Sequence, residues 1–453
     1  MEIYTDALTV FFFAYCLLYN AFLFLYVIVR HSPQTSPGSA WTVRLRQPPA
    51  GARLRLDCSS CPAGGWARCT SSEACPDEVW WPIITLMIPA LNEGKVLYKT
   101  VENIFEQYYP GTLEVLIIDD GSDDNTPQVT AQIQQEFSDV YVLRRERPHA
   151  RQGKGAALNA GLKFLFEKFP ERPKEDWVIG VFDADGRVEE IDFFEQVGLA
   201  FHDPTVNALQ CGVRIRNRHK LLPLLQDVEF VAFSWIVQWV RDKTSGAVAL
   251  GGNGQFIRAD CLEILQPQGP WLPTALTEDL EISVRIHELP GRIRFLDRHV
   301  SQEGVETLRA LLAQRHRWAW GTLQVFVMYV ASGRLWRSPM PLLKKLDLHY
   351  YLTFWIVPFL VMASWGLALL SLLGYIRVGN HFETGLLLAN SFSFWPTMAL
   401  ALSRTDTPRL SIPKLVLLGT LYSYHWIPLL VWAWLDIFRQ KKPHWLKTQR
   451  IYS

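Results

Sequence analysis

Apolar residues are concentrated at the two ends of the chain. Residues 7–29 and 349–376 contain no Asp, Glu, Lys or Arg, and residues 384–402 and 415–438 are further apolar stretches. Each is long enough for a membrane crossing, since a helix needs about 20 residues to span the hydrocarbon core of a bilayer. The pattern predicts a membrane anchor over residues 1–32, a linker over 33–82, a water-soluble domain over 83–347 and a C-terminal membrane region over 348–453.

Basic residues after the first apolar stretch indicate the side of the membrane on which the soluble domain lies. We expect a retained anchor, because the stretch is longer than the apolar part of a signal peptide. By the positive-inside rule the soluble domain is then cytoplasmic, in an integral protein of the plasma membrane. Four crossings would put the basic tail outside, against the same rule, so the topology stays open. The basic residues are Arg30, Arg44, Arg46, Arg53 and Arg55.

Four of the seven cysteines lie in the linker, as Cys58, Cys61, Cys69 and Cys75. A C-x2-C pair followed by two more thiols is one arrangement that holds a structural zinc ion. The second pair lacks the spacing of a zinc knuckle, and the surrounding residues are rich in Pro, Gly, Ser and Ala. We therefore favour a flexible linker with incidental thiols and keep the zinc site as the alternative.

The middle of the chain alternates strand and helix patterns. Residues 83–89 form an apolar run typical of a buried parallel strand, residues 92–107 show helical spacing, and residues 113–118 and 178–182 are further strands. Asp119 and Asp120 follow the second of these strands, and Asp183 and Asp185 follow the third. Open α/β sheets bind ligands at the carboxyl ends of their strands, and paired carboxylates suit Mg²⁺ or Mn²⁺ bridging phosphates. The pattern predicts an α/β fold with such a site.

Three more segments carry candidate chemistry, and each also has a structural explanation. Lys154, between two glycines at a predicted helix start, either meets a diphosphate or nucleobase or lies in a solvated turn. Gly252 and Asn253 belong to a glycine-rich loop, which permits close approach of the backbone to a ligand. Glu278 and Asp279 are either functional acids or helix N-terminal charges favoured by the dipole. The net charge of +1 gives no electrostatic support for nucleic-acid binding.

The order of these residues resembles that of the membrane-bound glycosyltransferases of family 2, which include cellulose, chitin and hyaluronan synthases and several glycolipid synthases. The resemblance covers residue 83 to the C-terminus and rests on Asp119-Asp120, D-A-D at 183–185, T-E-D at 277–279 and Q-x-x-R-W at 314–318. It implies a GT-A nucleotide-sugar-binding fold, Rossmann-like with a mostly parallel sheet. It also implies inverting transfer of a sugar from a UDP-sugar donor.

The resemblance further implies a role for each motif. Asp279, beside Glu278, would be the base that takes the acceptor's proton. Asp119 or Asp120 would hold the uridine, and Asp183 with Asp185 would hold the ribose and a diphosphate-bound Mg²⁺ or Mn²⁺. Arg317 would neutralise the leaving diphosphate, and Trp318 would offer an aromatic face to the acceptor. The remaining candidates are Glu93 and Lys154 for the nucleotide sugar, and Gly252, Asn253 and Gln314 for the acceptor.

The acceptor stays open between two classes. The first interpretation is synthesis of a β-linked polysaccharide coupled to translocation, and the alternative is transfer of one or a few sugars to a lipid such as diacylglycerol. Residues 226–240 and 323–330 mix aromatic side chains with few charges. They resemble the family's interfacial helices, which lie on the bilayer, and buried core helices are the other explanation. The sequence does not indicate an oligomeric state.

Overall fold

The computed structural model describes residues 80–375 and 395–441. The predicted anchor, the cysteine linker up to residue 79, residues 376–394 and the end of the basic tail lie outside the described residues. The predictions that concern them therefore stay predictions.

An eight-stranded sheet forms the centre of the domain, with the spatial order β3-β2-β1-β4-β7-β6-β8-β5. Strands β3, β2, β1 and β4 are parallel neighbours, and β6 is parallel to β8. Strand β7 runs antiparallel to β4 and β6, and β5 runs antiparallel to β8. The bounds are β1 Ile83–Ala90, β2 Leu113–Asp119, β3 Val140–Arg144, β4 Trp177–Val181, β5 Arg187–Val188, β6 Val206–Ile215, β7 Gln255–Arg258 and β8 Arg292–Gln302.

The sheet is mixed, so the prediction of a mostly parallel sheet holds for β1 to β4 and for the β6–β8 pair, but not for β7 and β5. Strand β7 begins directly after the glycine-rich loop, where Gly254 donates its backbone N–H to the carbonyl of Val181 (3.0 Å) at the end of β4. A strand that begins where its neighbour ends has to run in the opposite direction. The antiparallel strand thereby places the glycine-rich loop at the sheet edge where β4 ends.

Helices cover both faces of the sheet. The first eight are α1 Leu97–Phe105, α2 Thr126–Glu136, α3 Lys154–Lys168, α4 Phe193–Ala200, α5 Leu221–Ala232, α6 Trp239–Lys243, α7 Ala259–Leu265 and α8 Glu278–Glu288. The later ones are α9 Leu308–Phe326, α10 Arg334–Arg337, α11 Leu342–Thr353, α12 Val357–Leu372, α13 Trp395–Leu402, α14 Ile412–Ser423 and α15 Trp426–Phe438. The π-helical turns Phe233–Gln238 and Val327–Ala331 follow α5 and α9. Short 3₁₀ turns are Lys174–Asp176, Gln266–Gln268, Phe354–Ile356 and Arg409–Ser411.

Strand β1 is buried on both faces, as its continuous apolar sequence predicts. Ile84 and Leu86 belong to the core on one side of the sheet, together with Leu97 of α1. Met87 belongs to the core on the other side, together with Leu158 of α3. A strand covered by helices on both faces has no solvent side, which explains the lack of polar alternation.

Helix α1 begins at Leu97, five residues later than the spacing from residue 92 predicts. Asn92 has a φ of 56°, in the left-handed region that a right-handed helix cannot contain. Its side chain donates to Asp123 Oδ1 (2.6 Å) and accepts from the Asp123 backbone N–H (2.9 Å). This local hydrogen bonding keeps Glu93 in a loop beside the end of β1.

Three helical stretches in the described part of the chain are long and apolar enough to cross a membrane: Leu221–Lys243, Leu342–Leu367 and Arg409–Phe438. The first contains the predicted interfacial segment 226–240, yet 61% of its apolar window is buried and it packs against β6, α13 and α14. The buried-helix explanation therefore describes this segment. The other two windows are only 6% and 28% buried, so they remain candidates for the C-terminal membrane region.

Helix α9 joins the sheet domain to the C-terminal helices. It packs along α15, where Trp320 and Leu323 lie in one cluster with Leu430. Gly321, on the same helix, lies against Thr277. A Cβ atom at position 321 would be 2.5 Å from Thr277 Cγ2 and 2.9 Å from its backbone nitrogen. The close approach of α9 to the segment before α8 therefore depends on this glycine.

Gly321→Ala is expected to destabilise the protein, because the added methyl group fits only if the backbone at Thr277 moves. Overpacking of this kind costs about 1–3 kcal/mol, and we expect a lower midpoint of thermal unfolding. Gly366→Ala on α12 is the matched control, since nothing lies within 4 Å of its added Cβ and alanine is the better helix former. Equal midpoints for the two variants would contradict the close approach.

Candidate functional site

The ends of β1, β2 and β4 open into a cavity of about 440 Å³. The glycine-rich loop before β7, the start of α8 and the helices α5, α9 and α11 complete its wall. All but two of the predicted site residues line it: Glu93, Asp120, Lys154, Asp183, Gly252, Asn253, Glu278, Asp279, Gln314, Arg317 and Trp318. Motifs that are far apart in the sequence therefore form one site.

Asp119 and Asp185 are the two predicted residues that do not line the cavity. Asp119 is buried, and its Oδ1 accepts a hydrogen bond from the backbone N–H of Ser122 (2.9 Å). Asp185 is also buried, and its Oδ2 accepts one from the backbone N–H of Glu303 (2.9 Å). Neither residue is among those that line the cavity, and one oxygen of each carboxylate accepts a backbone N–H of a neighbouring loop. Direct contacts of these two carboxylates with a donor or a metal stay predictions from the resemblance.

Lys154 is the cation among the acidic residues of the cavity. Its Nζ donates to Asp183 Oδ1 (2.7 Å) and to the backbone carbonyl of Gly252 (2.6 Å). Burial lowers the pKa of Lys154, but the carboxylates of Asp183, Glu278 and Asp279 more than offset this, so its pKa is raised. The side chain is therefore a charged group enclosed in the site, and a solvated turn does not describe it.

Gly252 is a position where any side chain would crowd the site. A Cβ atom there would lie 3.1 Å from Lys154 Nζ and 3.3 Å from Asp279 Oδ2. The Lys154 ammonium and the Asp279 carboxylate therefore face the same short piece of backbone. Glycine permits this approach because it lacks a Cβ atom.

The side chain of Asn253 is used for internal hydrogen bonds. Its Oδ1 accepts from the backbone N–H of Asp183 (3.2 Å), and its Nδ2 donates to Gln302 Oε1 (2.9 Å). The Nε2 of Gln210 donates to the Asn253 carbonyl (2.9 Å), and its Oε1 accepts from the N–H of Gly251 (2.6 Å). Gln210 and Gln302 also line the cavity. The sequence analysis missed both, because single amides within strands carry no motif signal.

Glu278, which is buried, and Asp279, which is half-buried, form an acid pair in the first turn of α8. Glu278 is 5% exposed, and burial raises its pKa to about 7. The Asp279 carboxylate adds to this rise, whereas Lys154 and Arg317 oppose it. Burial also raises the pKa of Asp279, against the opposing charge of Lys154. The Oδ1 of Asp279 accepts from the backbone N–H of Leu280 (2.8 Å), so Oδ2 is the oxygen that lies beside the glycine-rich loop.

Asp120 has a partner that the sequence analysis missed. Arg145 forms an ion pair with it, and both side chains are buried. Burial raises the pKa of Asp120, and the Arg145 guanidinium opposes the rise. Arg145 follows β3 at the sheet edge, and the analysis did not identify that strand. The sequence feature that could have indicated this strand is the apolar run at 140–143, which is followed by two arginines.

A second part of the cavity wall is aromatic and comes from helices. Phe230 lies on α5, Phe233 in the π-helical turn after it, Trp318 on α9, Tyr351 on α11 and Trp426 on α15. Trp318 meets Phe230 edge to face, with ring centroids 6.0 Å apart. Helices α11 and α15 belong to the two candidate membrane stretches. The cavity is therefore charged where the strands end and aromatic where these helices enclose it.

Comparison with known proteins shows the family to which the chain belongs. The family model described as Glycosyltransferase like family 2 matches residues 82–321. The β-monoglucosyldiacylglycerol synthase of Synechocystis sp. is 32% identical over 390 residues, which cover 81% of this chain and 75% of that protein. The poly-β-1,6-N-acetyl-D-glucosamine synthase of Staphylococcus aureus is 27% identical over 262 residues, which cover 57% of this chain and 60% of that protein.

Among solved structures, the mannosyltransferase PcManGT from Pyrobaculum calidifontis, in complex with GDP-Man and Mn²⁺, is similar with a TM-score of 0.54. The two chains are 19% identical, and the similarity covers 97% of this chain and 99% of that one. This similarity supports the fold. Because the family model covers more than half of the chain and the Synechocystis relative most of it, the chain belongs to glycosyltransferase family 2 and is a glycosyltransferase with a GT-A fold and a mixed sheet.

Proposed function

We propose that the enzyme transfers a sugar from a UDP-sugar to the hydroxyl group of a membrane lipid, with diacylglycerol as the acceptor and inversion at the anomeric carbon. The observation that carries the proposal is one cavity with two unlike parts. Lys154, Asp183 and Arg317 suit a diphosphate sugar, and the aromatic wall from the candidate membrane helices suits a lipid. Relatives named as β-monoglucosyldiacylglycerol synthases in Synechocystis and Nostoc support this acceptor.

Two basic side chains line the donor end where the diphosphate would lie. Lys154 and Arg317 line it, and the Nε of Arg317 is buried without a hydrogen-bond partner in the described part of the chain. A phosphate oxygen beside that nitrogen would satisfy it, since guanidinium groups bind phosphates through several N–H donors. Asp120, held by Arg145, is the residue that we assign to the uridine.

The residues fit a divalent cation. Asp183 lines the cavity with its side chain 29% exposed, so a cation that arrives with the diphosphate has access to its carboxylate. Within residues 80–375 and 395–441, no group of three or more His, Cys, Asp or Glu side chains could hold a metal ion. Proteins bind Mg²⁺ through one or two carboxylates and the phosphates of the substrate, so a cluster of three protein ligands is not required. We assign it, or Mn²⁺, to Asp183 with Asp185. When bound, the cation neutralises charge on the diphosphate.

Asp279 is the residue that we assign as the base. As the hydroxyl oxygen of the acceptor attacks the anomeric carbon, the bond from that carbon to the diphosphate breaks and the proton passes to Asp279 Oδ2. A carboxylate whose pKa is raised, as that of Asp279 is, is a stronger base than a fully solvated one. Lys154 and Arg317 stabilise the charge that develops on the leaving diphosphate. Attack from the face opposite the diphosphate inverts the anomeric carbon.

Elongation of a β-linked polysaccharide is the second candidate. The Staphylococcus relative supports it, as does Trp318, because an aromatic face can stack on a sugar ring. That relative covers 57% of this chain, whereas the Synechocystis glycolipid synthase covers 81%. The lipid acceptor is therefore the better supported of the two. For both candidates we propose a catalytic domain on the cytoplasmic side of the plasma membrane.

Purified enzyme in lipid nanodiscs is expected to form a glycosyl diacylglycerol from one of a panel of UDP-sugars, and only when diacylglycerol is present. The linkage should be β, as inversion of an α-linked donor requires. Excess EDTA should abolish the product, because the diphosphate then lacks its counter-ion. Mass spectrometry and NMR identify the product. A long polysaccharide formed without added lipid would contradict the lipid acceptor, and full activity in EDTA would contradict the metal.

Asp279→Asn is expected to reduce transfer by about a hundred- to ten-thousand-fold, because an amide cannot take the proton. Binding of UDP, measured by calorimetry, should change little, since the assigned donor contacts are elsewhere. Asp185→Asn should show the opposite balance, with weaker metal-dependent UDP binding. Asp297→Asn, at an exposed position outside the cavity, is the control. If Asp279→Asn keeps near-normal turnover, or loses UDP binding as badly as Asp185→Asn, the assignment of the base is wrong.

The transfer rate is expected to fall as the pH decreases through about 7. The raised pKa of Glu278 means that the acid pair takes up a proton at a pH where an exposed carboxyl group stays ionised. The active form is the deprotonated one, so the rate is lost on the acid side. Glu278→Gln should move the acid limb to lower pH, because Asp279 then titrates without an acidic neighbour. A kcat/KM that stays flat down to about pH 5 would contradict this role.

A further inference from the structure

Glu229, on α5, is a carboxylate in the cavity wall that no predicted role uses. Its side chain is 29% exposed. Three groups donate to it: Arg315 Nη2 (2.6 Å), the Tyr422 hydroxyl (3.1 Å) and Trp426 Nε1 (2.9 Å). Arg315 lies on α9, Tyr422 on α14 and Trp426 on α15. The Glu229 side chain thus connects α5 to α9, α14 and α15.

Arg315 lies between Gln314 and Arg317 in the Q-x-x-R-W motif, but its guanidinium does not line the cavity. It is fully buried, and its centre lies 4.0 Å from the centroid of the Trp318 ring. Its Nη1 donates to Gln314 Oε1 (3.1 Å). The planar cation is therefore fixed by Glu229 at one side and covers the face of Trp318.

A pair of this kind is weak evidence for stability alone. Removing the Arg315 charge from water costs free energy that its attraction to the partly exposed Glu229 only partly returns. Such a pair is better explained where it fixes geometry. Trp318, the ring that Arg315 covers, lines the cavity, as does Glu229 itself.

We propose that Arg315 is a positioning residue for acceptor binding, which acts through Trp318 and is itself held by Glu229. The stacked guanidinium fixes the plane of the Trp318 ring, and the carboxylate fixes the guanidinium. Tyr422 and Trp426 tie this arrangement to the C-terminal helices, so the orientation of the ring depends on those helices being packed. The inference rests on the proposed function only in taking diacylglycerol as the acceptor.

Arg315→Lys tests the proposal, because lysine keeps the charge for Glu229 but loses the planar stack on Trp318. The KM for diacylglycerol should rise about tenfold, with kcat and the affinity for UDP changed less than about twofold. Glu229→Gln should give the same split, which keeps the test valid if the first variant folds poorly. Arg334→Lys is the matched control: this arginine lies 4.7 Å from the Tyr329 ring centroid and pairs with Glu288, outside the cavity. It should leave the KM unchanged.

A double-mutant cycle shows whether Arg315 acts through Trp318. In a Trp318→Ala background, Arg315→Lys should raise the KM no further, because the ring that it positions is absent. An equal rise in both backgrounds, or a parallel loss of UDP affinity and of the thermal midpoint, would overturn the proposal in favour of a structural role. Failure of the unaltered enzyme to glycosylate diacylglycerol would instead overturn the proposed function. The same cycle then applies to the carbohydrate acceptor that yields product.

Discussion

The site depends on one lysine that lies among three carboxyl groups, of which Glu278 is buried and Asp183 and Asp279 are half-buried. All three raise the pKa of Lys154, and its charge offsets part of the free energy that removing such acids from water costs. The backbone of the glycine-rich loop beside Lys154 is arranged so that it contacts this lysine. The carbonyl of Gly252 accepts from the ammonium group, and the absence of a side chain there lets the lysine and Asp279 approach the same loop. In the proposed mechanism an incoming diphosphate adds negative charge to this cluster, and for this reason we propose a divalent cation there.

The parts of the fold that could be predicted are local in sequence. Asp183 follows an apolar strand directly, so its place at the sheet edge follows from the strand alone. The residues that were missed depend on pairing between distant segments. Gln210 on β6 contacts the carbonyl of a residue 43 positions away, and Arg145 reaches Asp120 only because β3 lies beside β2. The antiparallel direction of β7 could not be predicted for the same reason. The sequence of a four-residue strand does not indicate which strands it will pair with.

The helices show a different limit. An apolar helix with no polar face is compatible with a protein core and with a membrane, so composition cannot separate the two. The stretch Leu221–Lys243 has the hydropathy of a crossing, yet the sheet and the C-terminal helices bury most of it. The stretch Leu342–Leu367 has similar hydropathy and little burial. What distinguishes them is the surface each helix meets, and only the three-dimensional structure contains that information.

The two ends of the cavity also differ in which part of the chain supplies them. The match to the family model ends at residue 321, and the donor end, from Glu93 to Arg317, lies entirely within it. Tyr351 and Trp426, in the aromatic wall, lie beyond it, as does Tyr422, which holds Glu229. Changes in those helices would alter the acceptor wall without disturbing the charges around Lys154. Relatives that match this region can therefore differ in their products, as the names of the glycolipid and polysaccharide synthases among them illustrate.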